Sequence, residues 1–209
     1  MAKCKLLLLD AFGIIGVRYN IAAGEEAFSR ETKTGIEAMR VKLKAAGRAE
    51  FATGQITLKE FYAALNEQLR TPISLSQLIC LWTSSYEVQH SLEEELGARG
   101  LPPFVWCSNG NEVDFDWLRA HNLHKWRGCR GLIMSDLGRT KSSVAFYDIA
   151  QLHICARVLC EDISFTEMVM LDTSRENVLC ARSLGIDARL VSNVSDVLAV
   201  LEELRHQDA

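Results

Sequence analysis

Along the chain, hydrophobic and polar positions first organise in Lys5-Leu6-Leu7-Leu8-Leu9-Asp10-Ala11-Phe12-Gly13, an apolar run that stops at an acid and a glycine. Leucines without polar alternation predict a strand buried on both faces, as in a parallel sheet, and the glycine favours a turn after it. From residue 17 to residue 100 the spacing becomes helical. Thr57-Leu58-Lys59-Glu60 is a capping box leading into Phe61, Ala64, Leu65 and Leu69 on one helical face. Ser74-Leu75-Ser76-Gln77 and Ser91-Leu92-Glu93-Glu94 repeat the device, and Gly47, Gly54, Gly97 and Gly100 punctuate it. The region predicts a bundle of about four helices. The charge runs Glu25-Glu26 and Glu93-Glu94-Glu95 read as solvated helix faces.

After Pro102-Pro103 the pattern alternates. Phe104-Val105-Trp106-Cys107 is strand-like and ends in Ser108-Asn109-Gly110, before a helix bearing Phe115, Trp117 and Leu118. Leu132-Ile133-Met134 repeats the strand type, and an amphipathic segment over 143–159 follows. Met168-Val169-Met170-Leu171 runs into Asp172, and Ala188-Arg189-Leu190-Val191 precedes a closing helix over 194–205. Strands alternating with helices predict an α/β, Rossmann-like parallel sheet with right-handed crossovers, the helical bundle being inserted after the first strand. The core is then 1–16 and 101–209, and the insertion 17–100.

In such sheets reactive groups gather beyond the carboxyl ends of the strands, where Asp10, Ser108 and Asp172 fall. Lys141, just past the third core strand, reaches the same crevice. A carboxylate nucleophile, a hydroxyl, a cation and a second acid form a coherent set for covalent catalysis by an aspartate. Each also has a purely structural reading: Ser108-Asn109-Gly110 is turn chemistry, Lys141 a surface lysine, and Thr173-Ser174-Arg175-Glu176 a capping box.

Composition narrows the partners. A net charge of -4 gives no general field for nucleic acid or an anionic membrane, and no run approaches the roughly 20 apolar residues of a membrane span. No signal-peptide pattern follows the first apolar run, so the expectation is a soluble, cytoplasmic protein. Seven scattered cysteines without a C-x-x-C pair predict reduced, buried thiols, and the five histidines make no metal-ligand pattern. The partner expected is a small-molecule substrate or another protein, with no oligomeric state legible.

Four motifs in order carry a family resemblance: Leu8-Leu9-Asp10-Ala11-Phe12-Gly13, Trp106-Cys107-Ser108-Asn109-Gly110, Asp136-Leu137-Gly138-Arg139-Thr140-Lys141 and Leu171-Asp172-Thr173-Ser174-Arg175-Glu176-Asn177, continued by Ala181 and Leu184-Gly185. Over essentially its whole length the chain resembles the haloacid dehalogenase-like (HAD) hydrolase superfamily with a helical cap after the first strand. The segment from Phe51 to Thr57, with Glu60-Phe61, resembles the branch of the sugar-phosphate phosphatases and the soluble epoxide hydrolase N-terminal domain. The resemblance implies Asp10 as nucleophile with Ser108 and Lys141 as catalytic partners, Asn109, Phe12 and Arg18 against the substrate, and Mg²⁺ on Asp10 and Asp172.

The departures from the phosphatase pattern D-x-D-G-T fall on its chemistry. Phe12 stands where the family's second acid protonates the leaving alcohol, a function worth about 10²- to 10⁴-fold in rate. Ile14 replaces the threonine that helps hold phosphate. Thr173 replaces a carboxylate expected at Mg²⁺, which predicts a weak metal site. Ser142 stands where proline is usual after the lysine. An aromatic residue after Asp10-Ala11 also resembles the metal-free 2-haloacid dehalogenases, where a halide leaves without a proton; Arg18 and Arg40 are candidates for its cradle. Three readings follow: a HAD-like protein with its Mg²⁺-dependent phosphatase chemistry lost or weakened and a binding or complex-forming role, a hydrolase of small phosphorylated metabolites, and a metal-independent dehalogenase.

Overall fold

A computed structural model describes residues 4–13, 15–134, 140–153 and 163–206. The first half runs β1 (Leu6–Asp10), β2 (Val17–Tyr19), α1 (Ile21–Glu31), α2 (Ile36–Ala45), α3 (Arg48–Ala52), α4 (Leu58–Gln68), α5 (Leu75–Thr83), β3 (Tyr86–Val88) and α6 (Glu93–Leu96). The second half runs β4 (Phe104–Ser108), α7 (Glu112–Ala120), β5 (Cys129–Met134), α8 (Val144–His153), β6 (Met168–Asp172), α9 (Arg175–Ser183), β7 (Asp187–Leu190) and α10 (Val194–His206). Ile14, the motif residues Asp136, Leu137, Gly138 and Arg139, Cys155 and Cys160, and the end of the expected 143–159 helix lie outside the described residues.

The unbroken leucines of β1 have a direct cause. The strand is central in a five-stranded sheet of order β5-β4-β1-β6-β7, with every pairing parallel. Side chains alternate across a strand, so Leu7 and Leu9 enter one core cluster with Trp106, Leu118, Leu123, Val197 and Leu201. Leu6 and Leu8 enter the opposite cluster with Phe146, Tyr147, Met170, Val178 and Ala181. Helices cover both faces, and burying each leucine stabilises the fold by roughly 1.5–3 kcal/mol. The chain therefore has a doubly wound α/β architecture.

Helices α1 to α5 lie between β2 and β3 and share a third cluster around Phe51, Phe61, Leu65 and Trp82. The boxes at Thr57 and Ser74 form in full, starting α4 and α5. The expected box at Ser91 does not form: Leu92 is the N-cap of α6, without a side-chain cap bond, and Ser91 lies in a 3₁₀ turn. Strands β2 and β3 pair antiparallel, Tyr19 opposite Tyr86, which the sequence reading did not anticipate. Three residues each are too short to show a period of two.

Candidate functional site

Three of the five strand ends build the site. Asp10 closes β1, Asp172 closes β6, and the turn after β5 carries Lys141 between them. The Lys141 ammonium sits 2.6 Å from Asp10 Oδ1 and 2.6 Å from Asp172 Oδ2, and donates to the Cys107 carbonyl at 3.3 Å. All three charged groups are buried. The Lys141 backbone N–H donates to Asn109 Oδ1 at 2.7 Å, so the turn after β4 fixes the turn that delivers the lysine.

Every carboxylate oxygen here has a partner. The Thr173 hydroxyl donates to Asp10 Oδ2 at 3.0 Å. Asp172 takes the Ser174 N–H on Oδ1 at 2.7 Å and the Asn177 amide on both oxygens. The helix cap belongs to Ser174, whose side chain accepts from Asn177 N, one residue later than the expected box at Thr173. That shift leaves the Thr173 hydroxyl free to serve Asp10. Gly13 makes room: its φ of +132° is a glycine conformation, and a Cβ there would lie 3.0 Å from Thr173 Oγ1 and 3.3 Å from Asp10 Oδ2.

Burial, and to a lesser degree the neighbouring Asp172, raise the Asp10 carboxyl against the pull of the Lys141 ammonium, to about 6 in all. Burial opposes the charge of Lys141, yet Asp10 and Asp172 outweigh it and hold the ammonium well above the ordinary lysine range. Cys107, pushed up to about 12 by burial, is an unreactive thiol.

Mg²⁺ does not fit this arrangement. Among the described residues two carboxylates converge, an ammonium already bridges them, and a neutral hydroxyl completes Asp10. Mg²⁺ demands near-octahedral oxygen ligation at roughly 2.0–2.1 Å, and here the ammonium and the Thr173 hydroxyl already occupy both Asp10 oxygens. Among the described residues no three acidic, histidine or cysteine side chains cluster as a metal site.

The other expected site residues are distributed. Ser108 is buried at the end of β4, its hydroxyl donating to the Asn109 carbonyl at 3.2 Å. Phe12 packs on Tyr86 with ring centroids 5.1 Å apart. Phe12 and Asn109 line a cavity of about 700 Å³ between the strand ends and the helical insertion. Arg40 lines it too; Arg18 does not, being exposed on β2 opposite Glu87.

The wall also includes residues to which the sequence assigned no site role, among them Tyr19, Glu25, Lys44, Arg48, Trp82 and Asp114. Glu25 corrects the expectation of a solvated face. It is buried and takes Arg40 Nε at 2.7 Å and Arg48 Nη1 at 2.6 Å. Burial pushes its carboxyl up, but these hydrogen bonds prevail and leave it below the ordinary range. Asp114 accepts from Trp82 Nε1 at 2.9 Å and Tyr86 OH at 2.6 Å, and from the N–H of Asn111, the N-cap of α7, whose capping box it completes. These residues are 15 to 32 positions apart in sequence, and no local spacing announces such pairs.

A doubly wound sheet with an aspartate at the end of its central strand, a lysine and a second aspartate beside it, and a helical insertion over the strand ends defines the class. The chain has the fold of the haloacid dehalogenase-like hydrolases. It superposes on a HAD family enzyme from Bacteroides thetaiotaomicron with a TM-score of 0.77, 18% identity, and coverage of 95% of this chain and 98% of that one. A structure of the same enzyme with magnesium and inorganic phosphate gives 0.70 at 19% identity, covering 90% and 94%. The L-2-haloacid dehalogenase of Xanthobacter autotrophicus gives 0.62 at 15% identity, covering 99% and 84%. No family model and no curated protein matches the sequence. Among the described residues no helix is long and apolar enough to cross a membrane.

Proposed function

We propose that this chain is a ligand-binding protein on a HAD-like hydrolase fold whose Mg²⁺-dependent phosphatase chemistry is lost or greatly weakened, with the helical insertion acting as its cap. The observation that carries this reading is Lys141 bridging Asp10 and Asp172 at 2.6 Å each, with Thr173 on the remaining Asp10 oxygen. A nucleophile with both oxygens engaged attacks poorly, and the metal that would compensate a phosphoryl group has no free carboxylate to hold it. Phe12 adds a second obstacle, since a phenyl ring donates no proton to a leaving alkoxide. Asp10, Lys141 and Asp172 are also not among the residues lining the large cavity. The Bacteroides neighbour, solved in complex with magnesium and inorganic phosphate, is the contrast against which this reading is set.

Titration with Mg²⁺ and turnover assays on p-nitrophenyl phosphate and a sugar phosphate test the reading together. The expected outcome is no Mg²⁺ binding in the millimolar range and no turnover. Mg²⁺-dependent hydrolysis of the sugar phosphate, abolished in Asp10→Asn, would overturn it in favour of an active phosphatase.

A second reading, metal-independent dehalogenation, is favoured by one specific observation: Lys141 compensates Asp10 without any metal. In that chemistry an Asp10 oxygen attacks C2 of a 2-haloacid as halide departs with the bonding pair. Water then hydrolyses the ester, returning Asp10 and releasing a 2-hydroxy acid. Chloride release from 2-chloropropionate, lost in Asp10→Asn, would establish it over the binding reading.

A further inference from the structure

We propose that the cavity between the helical insertion and the strand ends takes an organic monocation, an ammonium group on an apolar body, with the Asp114 carboxylate as its counter-charge; this ligand class rests on the binding role above. The charges of the wall single out Asp114. Glu25 holds Arg40 and Arg48, and Arg40 also pairs with Glu37 at 2.6 Å, so these four groups cancel. Lys44 and Glu50, one charge of each sign, are both exposed. Asp114 is buried, and its hydrogen-bond partners among the described residues are neutral: the Trp82 indole at 2.9 Å, the Tyr86 hydroxyl at 2.6 Å and the Asn111 N–H at 3.1 Å. Burial raises its carboxyl, and these donors oppose the rise without supplying a positive charge. They and the N-terminus of α7 hold the carboxylate in place, yet a buried charge with no counter-ion stays costly, and a bound cation offsets that cost.

The rings around Asp114 suit the same ligand. Phe12, Tyr19, Trp82 and Tyr86 all line the cavity, whose volume of about 700 Å³ falls in the range of small-molecule sites. Phe12 and Tyr19 pack against Tyr86 with centroids 5.1 Å away, at 60° and 87° to its plane, so the three faces point in different directions around one space. Trp82 is fixed from behind by Phe51 at 4.7 Å and Phe61 at 5.6 Å. The face of an aromatic ring is negative, and rings at steep angles surround a cation as no stacked pair can. Asp114 Oδ1 already takes two donors and Oδ2 one, which leaves Oδ2 a lone pair for a ligand. A phosphate monoester, carrying close to two negative charges at neutral pH, would add to the unbalanced charge instead of cancelling it.

Calorimetric titration of the intact protein at about pH 7 with 4-(trimethylammonio)phenol and with 4-tert-butylphenol, which has the same shape and no charge, tests the class. Saturable one-site binding of the cation is expected, about tenfold or more tighter than the isostere, whereas apolar burial alone would favour the uncharged molecule. Asp114→Asn, which keeps an acceptor for Trp82 and Tyr86, should weaken the cation by about tenfold or more and leave the isostere within about twofold. Phe12→Leu removes a ring and no charge; it should weaken the cation by about threefold or more with the isostere again little changed, and it decides alone if Asp114→Asn fails to fold. No saturable heat with the cation up to about 5 mM, undiminished cation affinity in either folded variant, equal loss of both ligands in Phe12→Leu, or tighter binding of the isostere would each overturn the proposal. The phosphatase assay reads only the chemistry at Asp10. Turnover there would sink the loss of hydrolysis and leave a positive cation titration standing.

Discussion

At the scale of the residue, two buried carboxylates share one ammonium, and Asp10 carries the imbalance. Its folded-state value near 6 lies above the ordinary 3.8, so the folded protein holds a proton on Asp10 that the unfolded chain has lost between those values. The sign follows: stability from this group is fully present below about pH 4 and is lost as pH rises through about 6, by roughly 3 kcal/mol in total. Asp10→Asn, neutral at all pH, should flatten the melting-temperature profile between pH 4 and 7 and match or exceed the parent at pH 8. A profile still falling across that window would assign the dependence to another group. Lys141→Met should act the opposite way, because it leaves two carboxylates facing each other without a cation; denaturant unfolding should show a loss of about 3–5 kcal/mol. Thr173→Asp should lower the melting temperature without metal by placing a third carboxylate where a hydroxyl now donates, and millimolar Mg²⁺ should restore it. Asp10, Lys141 and Asp172 were legible in the sequence because each follows a strand-like run, and strand ends converge. Thr173's bond to Asp10 was not, since cap register decides which hydroxyl is free and a one-residue shift leaves no trace in composition.

At the scale of the element, the strands that bury both faces and the helices with full capping boxes stood out, since their patterns are local. What escaped was anything made by pairs of distant elements: the β2–β3 ribbon, and the way α7 is joined to the insertion. Asp114 is at once the capping-box residue of α7 and the acceptor for Trp82 of α5 and Tyr86 of β3. Its two tasks make it a clamp between helical insertion and sheet. Burial pushes its carboxyl up, and the donors from Tyr86 and Trp82 hold the ionised form in part. Asp114→Ala strands a tyrosine hydroxyl and an indole N–H in the interior and removes the return bond of the α7 capping box, leaving Asn111 as its cap, so a loss of about 3–4 kcal/mol is expected in urea unfolding. Asp114→Asn keeps an acceptor for both donors and should cost markedly less. Thr57→Ala, which removes an exposed cap from α4 alone, sets the scale at about 1 kcal/mol. Equal losses in Asp114→Ala and Thr57→Ala would show that the clamp contributes only its share of the capping box.

At the scale of the whole molecule, the chain passes between the core and the insertion at one narrow place. Tyr19 and Tyr86 stand opposite each other in the antiparallel ribbon, so the chain leaves and re-enters the core at adjacent positions. The two clusters on the sheet faces draw no residue from 20–85, whereas the third cluster is built almost entirely from that span, with Val113 and Tyr86 its contributions from outside. Each unit therefore buries its own apolar surface. Replacing 20–85 by Asn-Gly, the sequence suited to a two-residue hairpin, should close β2 onto β3 without strain and leave the parallel sheet intact. The shortened protein should unfold cooperatively, with less helical dichroism and a lower stability from the exposure of Val113 and the loss of Trp82's bond to Asp114. It should also lose the cavity, because Tyr19, Phe12 and Asn109 alone cannot enclose a ligand once α1, α2, α3 and α5 are gone. A broad, non-cooperative transition would show instead that the insertion is part of the folding unit.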